Sequence, residues 1–470
     1  MRLSQRVSRV QRIFGLIGNA ITGKEYNYTS GSIKQAIVLL AIPMILEMVM
    51  ESLFAVVDIY FVSELGKNSI ATVGLTESML MIIYSLAMGI GMAATALVAR
   101  RTGEKDKDGA SRAAAQTLLV GIIVSLLISI PGAFFAPQLL KLMGAGNEVL
   151  QVGTSYTRIM LGSNIVITLL FLVNGIFRGA GNAVMAMQSL WLANIINIIC
   201  CPIFIFGWGP IPAFGLKGAA IATVVGRSTG VIFQLWFLFR GNKNINFNFA
   251  LFKPNMALMK QVVKIASSAA GQFLINSASW IVLIRIISSF GEAAIAGYTI
   301  GIRVVIFSLL PAWGLANAAA TLVGQNLGAQ QPDRAEQSVY RAAFYNMAVL
   351  GTISVFFIVF TKGIIGMFTH EPEVIRYGVD CLRIVSIGFL VYAFGMVIIQ
   401  SINGAGDTRT PLLINIVGFW LIQIPLAYIL AIIFRFGPPG VFIAICIAET
   451  VVAAIGFAIF RRGKWKLVHI

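Results

Sequence analysis

Three carboxylates lie within the first long apolar stretch of the chain. Glu47, Glu51 and Asp58 are spaced by four and then seven residues, so on a helix they fall within about 40° of one another on one face. A charged side chain at the centre of a bilayer costs roughly 2.5–3.5 kcal/mol. The stripe should therefore face the protein interior or a water-filled cavity, where its members either bind cations or form ion pairs with arginines in other helices. The candidate arginines are Arg158, Arg227, Arg285, Arg303 and Arg383.

The composition is that of an integral membrane protein. Of the 470 residues, 58% are hydrophobic and 11% are charged, and the mean hydropathy is +0.87, more than the core of a soluble chain of this length would bury. Twelve apolar stretches are long enough to cross a bilayer as helices. They are predicted to begin near positions 35, 69, 113, 149, 185 and 216, and near 259, 293, 337, 374, 410 and 440.

The two halves of the chain are related by a duplication. Arg178-Gly-Ala-Gly-Asn182 is matched by Asn403-Gly-Ala-Gly-Asp407, which places Gly181 and Gly406 225 residues apart, and many further matches keep this offset. Six helices per repeat give both halves the same orientation, related by a pseudo-twofold axis along the membrane normal. The predicted fold is all-α, with twelve transmembrane helices in two six-helix bundles. Such repeats are typical of secondary transporters.

The predicted boundaries follow the apolar stretches. Residues 1–32 form a basic tail, 33–240 the first lobe with helices 1–6, 241–258 a linker, 259–461 the second lobe with helices 7–12, and 462–470 a second tail. Of the 35 Lys and Arg residues, 24 lie in or beside the two tails and the even-numbered loops, and six lie in or beside the odd-numbered loops. Basic residues are retained on the cytoplasmic side of a membrane. Both termini and the linker are therefore predicted to be cytoplasmic. The net charge of +17 is attributed to this topology and to attraction by anionic lipid, and not to nucleic acid.

The basic N-terminal tail has several interpretations. Arg2, Arg6, Arg9 and Arg12 recur at helical spacing, as in a helix lying on the cytoplasmic membrane surface. A mobile basic tail and an organellar transit peptide are the alternatives.

Motifs for other chemistry are lacking in the sequence. The four cysteines form no CxxC pair, and there is neither a phosphate-binding G-x-x-x-x-G-K-[ST] loop nor an H-E-x-x-H pair. His370 and His469 are too few for a metal or triad site. Neither an enzyme nor a metal or other cofactor is expected, and an ion gradient is the expected energy source.

Several motifs, in this order, resemble those of the MATE (multidrug and toxic compound extrusion) family. The resemblance covers roughly residues 33–460, and it implies a cation-coupled antiporter that exports amphipathic, often cationic organic compounds through a cleft between two six-helix lobes. The motifs are Leu40-Ala-Ile-Pro43, Val57-Asp58-Ile-Tyr-Phe-Val, Leu65-Gly66, the small-residue run from Gly89 to Val98, Arg178-Gly-Ala-Gly-Asn182, Leu322-Val-Gly-Gln-Asn-Leu-Gly-Ala329 and Asn403-Gly-Ala-Gly-Asp407.

The resemblance assigns roles to individual residues. Asp58 matches the family's first-helix aspartate for ion coupling, and Pro43 matches its helix-bending proline, which permits a bend because it has no N–H to donate. In the fifth helix Asn197 fits the family pattern, whereas Cys201 stands where many relatives have an aspartate. Thr223 resembles the polar residue that closes the site.

Other residues of the first two helices are expected to line the substrate cavity. Glu47 and Glu51 attract cations, Met48 and Phe54 provide adaptable apolar surface, and Glu77 lies early in the second helix.

The coupling ion is expected to be H⁺ in preference to Na⁺. Sodium requires several hard oxygen ligands, and Cys201 removes one, whereas a proton needs only one buried carboxylate. In the second lobe Asn276 and Tyr392 occupy the positions where another branch of the family has carboxylates. An ion site is therefore not expected there.

Two other functions remain open. A flippase for phospholipids or lipid-linked saccharides requires a basic cavity for a pyrophosphate, which the acidic stripe disfavours but Arg227, Arg285 and Arg303 leave possible. The other alternative to the antiporter is a passive channel or a membrane scaffold. The expected protein is a monomer in a prokaryotic cell membrane that binds a small organic substrate.

Overall fold

The computed structural model describes residues 15–23, 26–241 and 244–470, which are almost entirely helical. A short helix over 15–22 precedes the apolar stretches. The predictions made for Arg2, Arg6, Arg9 and Arg12 lie outside the described residues.

Six helical segments make up the first repeat. Between α3 and α4 lies a short helix, Ala136–Leu142. The segments are α1 (Ile33–Ser63), α2 (Lys67–Gly103), α3 (Lys107–Phe134), α4 (Asn147–Gly179), α5 (Ala183–Phe206) and α6 (Leu216–Arg240).

The second repeat has the same order of helices. A break at Gly388 bends α10 by 56°, and α11 contains π-helical turns at Ile416–Gln423 and Ile429–Ile433. The segments are α7 (Met256–Ser288), α8 (Glu292–Gly328), α9 (Pro332–Gly366), α10 (Pro372–Ile387 with Phe389–Gly404), α11 (Arg409–Ile433) and α12 (Pro438–Arg461).

The predicted spans are confirmed. Within the described residues, eleven helices are long and apolar enough to cross a membrane, and the bent pair of α10 is the twelfth. The largest difference in a helix start is at α3, predicted near 113 and observed at Lys107. The difference arises because Asp106 caps α3 by accepting a hydrogen bond from Gly109 N at 2.7 Å, so the helix begins in a polar turn before the apolar stretch.

By their internal contacts the described residues form two compact units. The N unit contains Leu46–Ala270, and the C unit contains Tyr26–Ile45 and Gly271–Ile470. Both divisions fall inside helices, within α1 and within α7. More than half of α1, including Asp58, thus belongs to the N unit, whereas Pro43 belongs to the C unit.

The repeated Gly-Ala-Gly motif makes the turn before the fifth helix of each repeat. Gly181 and Gly406 have φ of 84° and 94°, a conformation that glycine adopts without strain. The next residue caps the following helix: Asn182 Oδ1 accepts from Met185 N at 3.3 Å, and Asp407 Oδ1 accepts from Thr410 N at 3.1 Å. The motif that reveals the duplication is therefore a structural one.

The linker after α6 packs on the N unit. Ile245 and Phe247 are buried while Asn246 and Asn248 are exposed, which accounts for the alternation of asparagine with apolar residues. The amide of Gln116 on α3 donates to the carbonyls of Leu251 and Lys253, both at 2.9 Å, and accepts from Asn255 N. The linker is thus anchored on α3.

Close helix approach in the C unit predicts a stability difference between two glycines. A Cβ at Gly404 on α10 would collide with the backbone of Ala320 on α8, whereas a Cβ at Gly363 on α9 would meet open space. We expect Gly404→Ala to destabilise the protein by about 1–3 kcal/mol, a typical effect of overpacking. Gly363→Ala is the matched control and should be neutral or slightly stabilising. Thermal unfolding in detergent measures both, and equal melting temperatures would contradict the predicted difference.

Candidate functional site

Glu47 is buried in a polar cluster within the N unit. Its side chain is 1% exposed; Oε1 accepts a hydrogen bond from Asn174 Nδ2 at 3.0 Å and lies 3.6 Å from Arg178 Nη2. Both partners are on α4, so this carboxylate joins α1 to α4. An ion pair buried in this way needs its hydrogen bonds to offset desolvation.

Asn174 connects the Glu47 cluster to two further helices. Its Oδ1 accepts hydrogen bonds from Gln234 Nε2 on α6 at 2.6 Å and from Ser189 Oγ on α5 at 3.2 Å. Gln234 also donates to Ser189 Oγ at 2.9 Å. Four helices therefore meet at one buried network, in which Glu47 Oε2 and Gln234 Oε1 have no hydrogen-bond partner among the described residues.

The second repeat has a neutral version of the Glu47–Arg178 contact. Gln272 and Asn403, each 225 residues further along, exchange two hydrogen bonds of 3.0 and 3.1 Å. The same helices of the repeat are joined at the same positions by two amides in place of two charges. Joining these helices therefore does not itself require a charge.

Glu51 forms the second ion pair of the stripe. Its Oε1 lies 3.1 Å from Arg227 Nη2 on α6, and its Oε2 accepts from Asn194 Nδ2 on α5 at 3.3 Å. The guanidinium lies 5.2 Å from the ring centre of Phe54 and 6.0 Å from that of Tyr84, within the range of cation–π attraction. The Arg227 side chain is 2% exposed and the Glu51 side chain is 24% exposed, so the carboxylate is the more solvent-exposed partner.

Asp58 differs from the other two acids because it has no ion pair within 4 Å among the described residues. Its closest polar contact is Cys201 on α5, whose Sγ lies 3.9 Å from Asp58 Oδ1, and a thiol is a weak donor. Asp58 interacts over a longer range with Arg227 and Glu77. This half-buried carboxylate is the least compensated of the three.

Asn197 and Thr223 contact each other in this structure. Asn197 Nδ2 donates to Thr223 Oγ1 at 3.1 Å, and Thr223 Oγ1 donates to the carbonyl of Ala219 at 3.1 Å. Cys201 lies one helical turn after Asn197 and contacts Asp58. The predicted ion-coupling residues thus form two adjacent pairs, Asp58 with Cys201 and Asn197 with Thr223.

The remaining candidates occupy different surroundings. Met48 is half-buried on α1, Phe54 contacts Arg227, and Glu77 is exposed on α2. Pro43 is buried within an unbroken α1. No group of three or more His, Cys, Asp or Glu side chains that could hold a metal occurs in the part of the chain that the structure describes.

Sequence reasoning missed the polar residues that position the acids. Asn174, Asn194 and Gln234 are amides in the middle of apolar helices, and that unfavourable placement was the available signal. Trp191 was also missed; its indole donates to the carbonyl of Leu46 at 3.0 Å. In the C unit Trp420 donates to the carbonyl of Ile275 at 3.1 Å.

Twelve helical spans in two repeats, with a charged site buried among apolar helices, define a multi-pass membrane transporter. The family model described as MatE matches residues 43–203 and 268–429, one match in each repeat. The chain belongs to this family of membrane transporters.

Individual relatives are similar over nearly their whole length. The "Probable multidrug resistance protein YoeA" of Bacillus subtilis is 24% identical over 404 residues, covering 85% of this chain and 87% of YoeA. The "Probable multidrug resistance protein NorM" of Thermotoga maritima is 22% identical over 434 residues, covering 92% and 93%.

Two solved structures agree with the fold at a TM-score of 0.88 and 28% identity, covering 94% of this chain and 98% of each solved chain. One is described as the outward-facing conformation of a multidrug resistance MATE family transporter of the MOP superfamily. The other, from Pyrococcus furiosus, is described by a reverse polarity of its binding pocket that suggests a different function.

The Glu51–Arg227 pair predicts a non-additive mutational response. Arg227→Met leaves a carboxylate without its partner, and losing one member of a buried pair typically costs about 3–5 kcal/mol. The double variant Glu51→Gln/Arg227→Met should recover part of this loss. Melting temperatures in detergent measure the cycle.

The exposed Arg101–Glu104 pair, at 2.8 Å, supplies the control. Arg101→Met should cost less than about 1 kcal/mol. Purely additive effects at Glu51 and Arg227 would show that the two side chains do not interact.

Proposed function

We propose that this chain is a proton-coupled antiporter that exports amphipathic organic cations across a prokaryotic cell membrane, with both termini cytoplasmic. Membership of the MatE family and the names of the multidrug resistance relatives support the export of organic compounds. The excess of Lys and Arg beside the tails and even-numbered loops supports the orientation.

One observation carries the assignment of the coupling residue. Glu47 is paired with Arg178 and Glu51 with Arg227, whereas within the described parts of the chain Asp58 has no ion pair and its side chain contacts only the thiol of Cys201 at hydrogen-bond range. A carboxylate fixed by an arginine is held in its charged form, since the pair loses its attraction on protonation. Asp58 is therefore the member of the stripe best suited to gain and lose a proton during transport.

The contacts of Asp58 support H⁺ over Na⁺. A sodium site needs several hard oxygen ligands around the ion, and the one side-chain hydrogen-bond contact of Asp58 among the described residues is with the sulfur of Cys201. The side-chain oxygens of Asn197 and Thr223 lie in a separate contact, with Asn197 donating to Thr223. Proton uptake requires no further ligand.

The charge of the N-unit site favours cationic substrates. Arg178 pairs with Glu47 and Arg227 pairs with Glu51, whereas Asp58 has no ion pair within 4 Å among the described residues. Phe54 and Met48 add apolar surface on the same helix. A carboxylate next to aromatic and thioether groups suits amphipathic cations of varied shape.

The transport cycle follows from competition for Asp58. A proton taken up from outside removes the negative charge that holds the substrate, α1 bends near Pro43, and the substrate leaves outwards. Loss of the proton to the cytoplasm restores the charge and resets the transporter. The proton gradient thereby drives export.

Neutralising Asp58 is expected to abolish coupling. In proteoliposomes with an imposed pH gradient, Asp58→Asn should lose drug-driven proton flux by at least an order of magnitude, because the amide cannot exchange a proton. Glu64→Gln is the matched control, since this exposed acid lies just beyond the end of α1, and it should retain flux. Unchanged exchange in Asp58→Asn would remove Asp58 from the mechanism, and lipid scrambling without drug exchange would favour the flippase.

Replacement of sodium tests the coupling ion. With an H⁺ gradient held constant, exchanging Na⁺ for choline should leave drug uptake into inverted vesicles unchanged, because Asp58 has no set of oxygen ligands for sodium. The initial rate of uptake is the measurement. A collapse of transport in choline would instead assign the coupling to Na⁺.

A further inference from the structure

The C unit contains an acidic residue that the proposed cycle does not use. Glu449 lies in the middle of α12, a helix that crosses the membrane. Among the described residues it forms neither an ion pair nor a hydrogen bond with another side chain. A carboxylate within a membrane helix is retained at a free-energy cost, which marks it as a candidate for function.

Glu449 lines a small cavity of about 30 Å³, and among the described residues that line it Glu449 is the only one with a formal charge. A site of roughly 10–15 Å³ is enough for one water molecule where polar groups can bind it, so the volume allows about two. Most of the lining is apolar, and the polar side chains available to such water are Glu449 and Tyr392, with Cys446 and Trp280 as weaker or donor-only groups. Water bound to the carboxyl group could exchange protons with it, whereas the space is too small for a drug-sized molecule.

The groups facing the cavity leave Glu449 without a compensating cation. Trp280 on α7, Val305 and Leu309 on α8 and Val385 on α10 have no titratable group. The titratable neighbours are Tyr392 on α10 and Cys446 on α12 itself, and both interact electrostatically with Glu449. Neither residue supplies a positive charge.

The repeat makes the lack of a cation informative. Counted from the start of the last helix of each repeat, at Leu216 and Pro438, Glu449 corresponds to Arg227. In the N unit this position provides the positive charge that fixes Glu51. In the C unit the charge at this position is reversed, Asn276 stands at the position of Glu51, and Trp280 on the same helix lines the cavity beside Glu449.

We propose that Glu449 is a second proton-binding site, which exchanges protons through the water of its cavity, so that each transport cycle moves two protons. The two-proton cycle rests on the proposed antiport with Asp58, whereas proton binding by Glu449 does not. The site differs from the one considered at Asn276 and Tyr392, because the carboxylate is on α12 and Tyr392 is only its neighbour.

Infrared difference spectroscopy tests proton binding by itself. Raising the pH of the purified protein through the neutral range should remove a carbonyl stretch of protonated carboxylic acid, and Glu449→Gln should lack one component of that change. Glu292→Gln, which removes an exposed acid at the start of α8, should give the full change. An identical difference spectrum in Glu449→Gln would overturn the proposal.

Tyr392→Phe decides the matter if Glu449→Gln does not fold. This variant keeps the carboxyl group and removes only the hydroxyl group of a cavity-lining tyrosine that interacts electrostatically with Glu449, so the Glu449 component should shift in frequency without disappearing. A spectrum that matches the unmodified protein would count against the site.

The number of protons moved per substrate tests whether each transport cycle moves two protons. Substrate gradients that balance a known proton gradient should indicate two protons per substrate for the unmodified protein and one for Glu449→Gln, about a twofold change. An unchanged ratio would overturn the two-proton cycle. If no exchange occurs in any variant but the Glu449 infrared component is present, the proposed antiport fails while proton binding by Glu449 stands.

Discussion

The need to compensate each carboxylate inside the membrane determines how α1 is held. An unpaired charge in a low-dielectric interior is costly, and two acids of α1 meet this constraint with arginines from helices far along the chain. Glu47 is joined to Arg178 on α4, and Glu51 to Arg227 on α6. These pairs fix the position of the helix, and with it the position of Asp58, which has no such partner. The same constraint thus separates two acids that have arginine partners from Asp58, the acid that we propose exchanges the proton.

The duplication shows which of these contacts belong to the scaffold. In both units the first helix of the repeat accepts a hydrogen bond from a tryptophan indole on the fifth, Trp191 to Leu46 and Trp420 to Ile275. The contact of Glu47 with Arg178 also has a counterpart, made by two amides in the C unit. Because a neutral pair suffices to join the first and fourth helices of the C unit, the contact between Glu47 and Arg178 does not need its charges in order to join the same two helices of the N unit.

Much of the fold followed from hydropathy and the 225-residue offset, because both depend on long stretches of chain. The offset also identified the Gly-Ala-Gly turns, although their role as helix connections appeared only with the positive φ of Gly181 and Gly406. The ion pairs of the site could not be predicted from the sequence. Arg227 lies 176 residues from Glu51, and no local sequence pattern distinguishes Arg227 from the other four candidate arginines as the partner of Glu51. The contact of Cys201 with Asp58 could not be predicted either, because it depends on which face of α5 packs against α1.

The backbone of α1 supports the proposal that a change at Asp58 bends the helix near Pro43. Pro43 has no N–H, so the carbonyl of Leu39 lacks its usual helical donor and the helix is weakened there. On the other side the carbonyls of Leu46 and Met50 receive additional donors from α5, Trp191 at 3.0 Å and Asn194 at 3.4 Å. The weakened turn at Pro43 lies in the part of α1 that belongs to the C unit. The turns at Leu46 and Met50, which receive the additional hydrogen bonds, lie in the part that belongs to the N unit. In the proposed cycle we therefore expect α1 to bend at Pro43 and to leave the pairs around Glu47 and Glu51 in place.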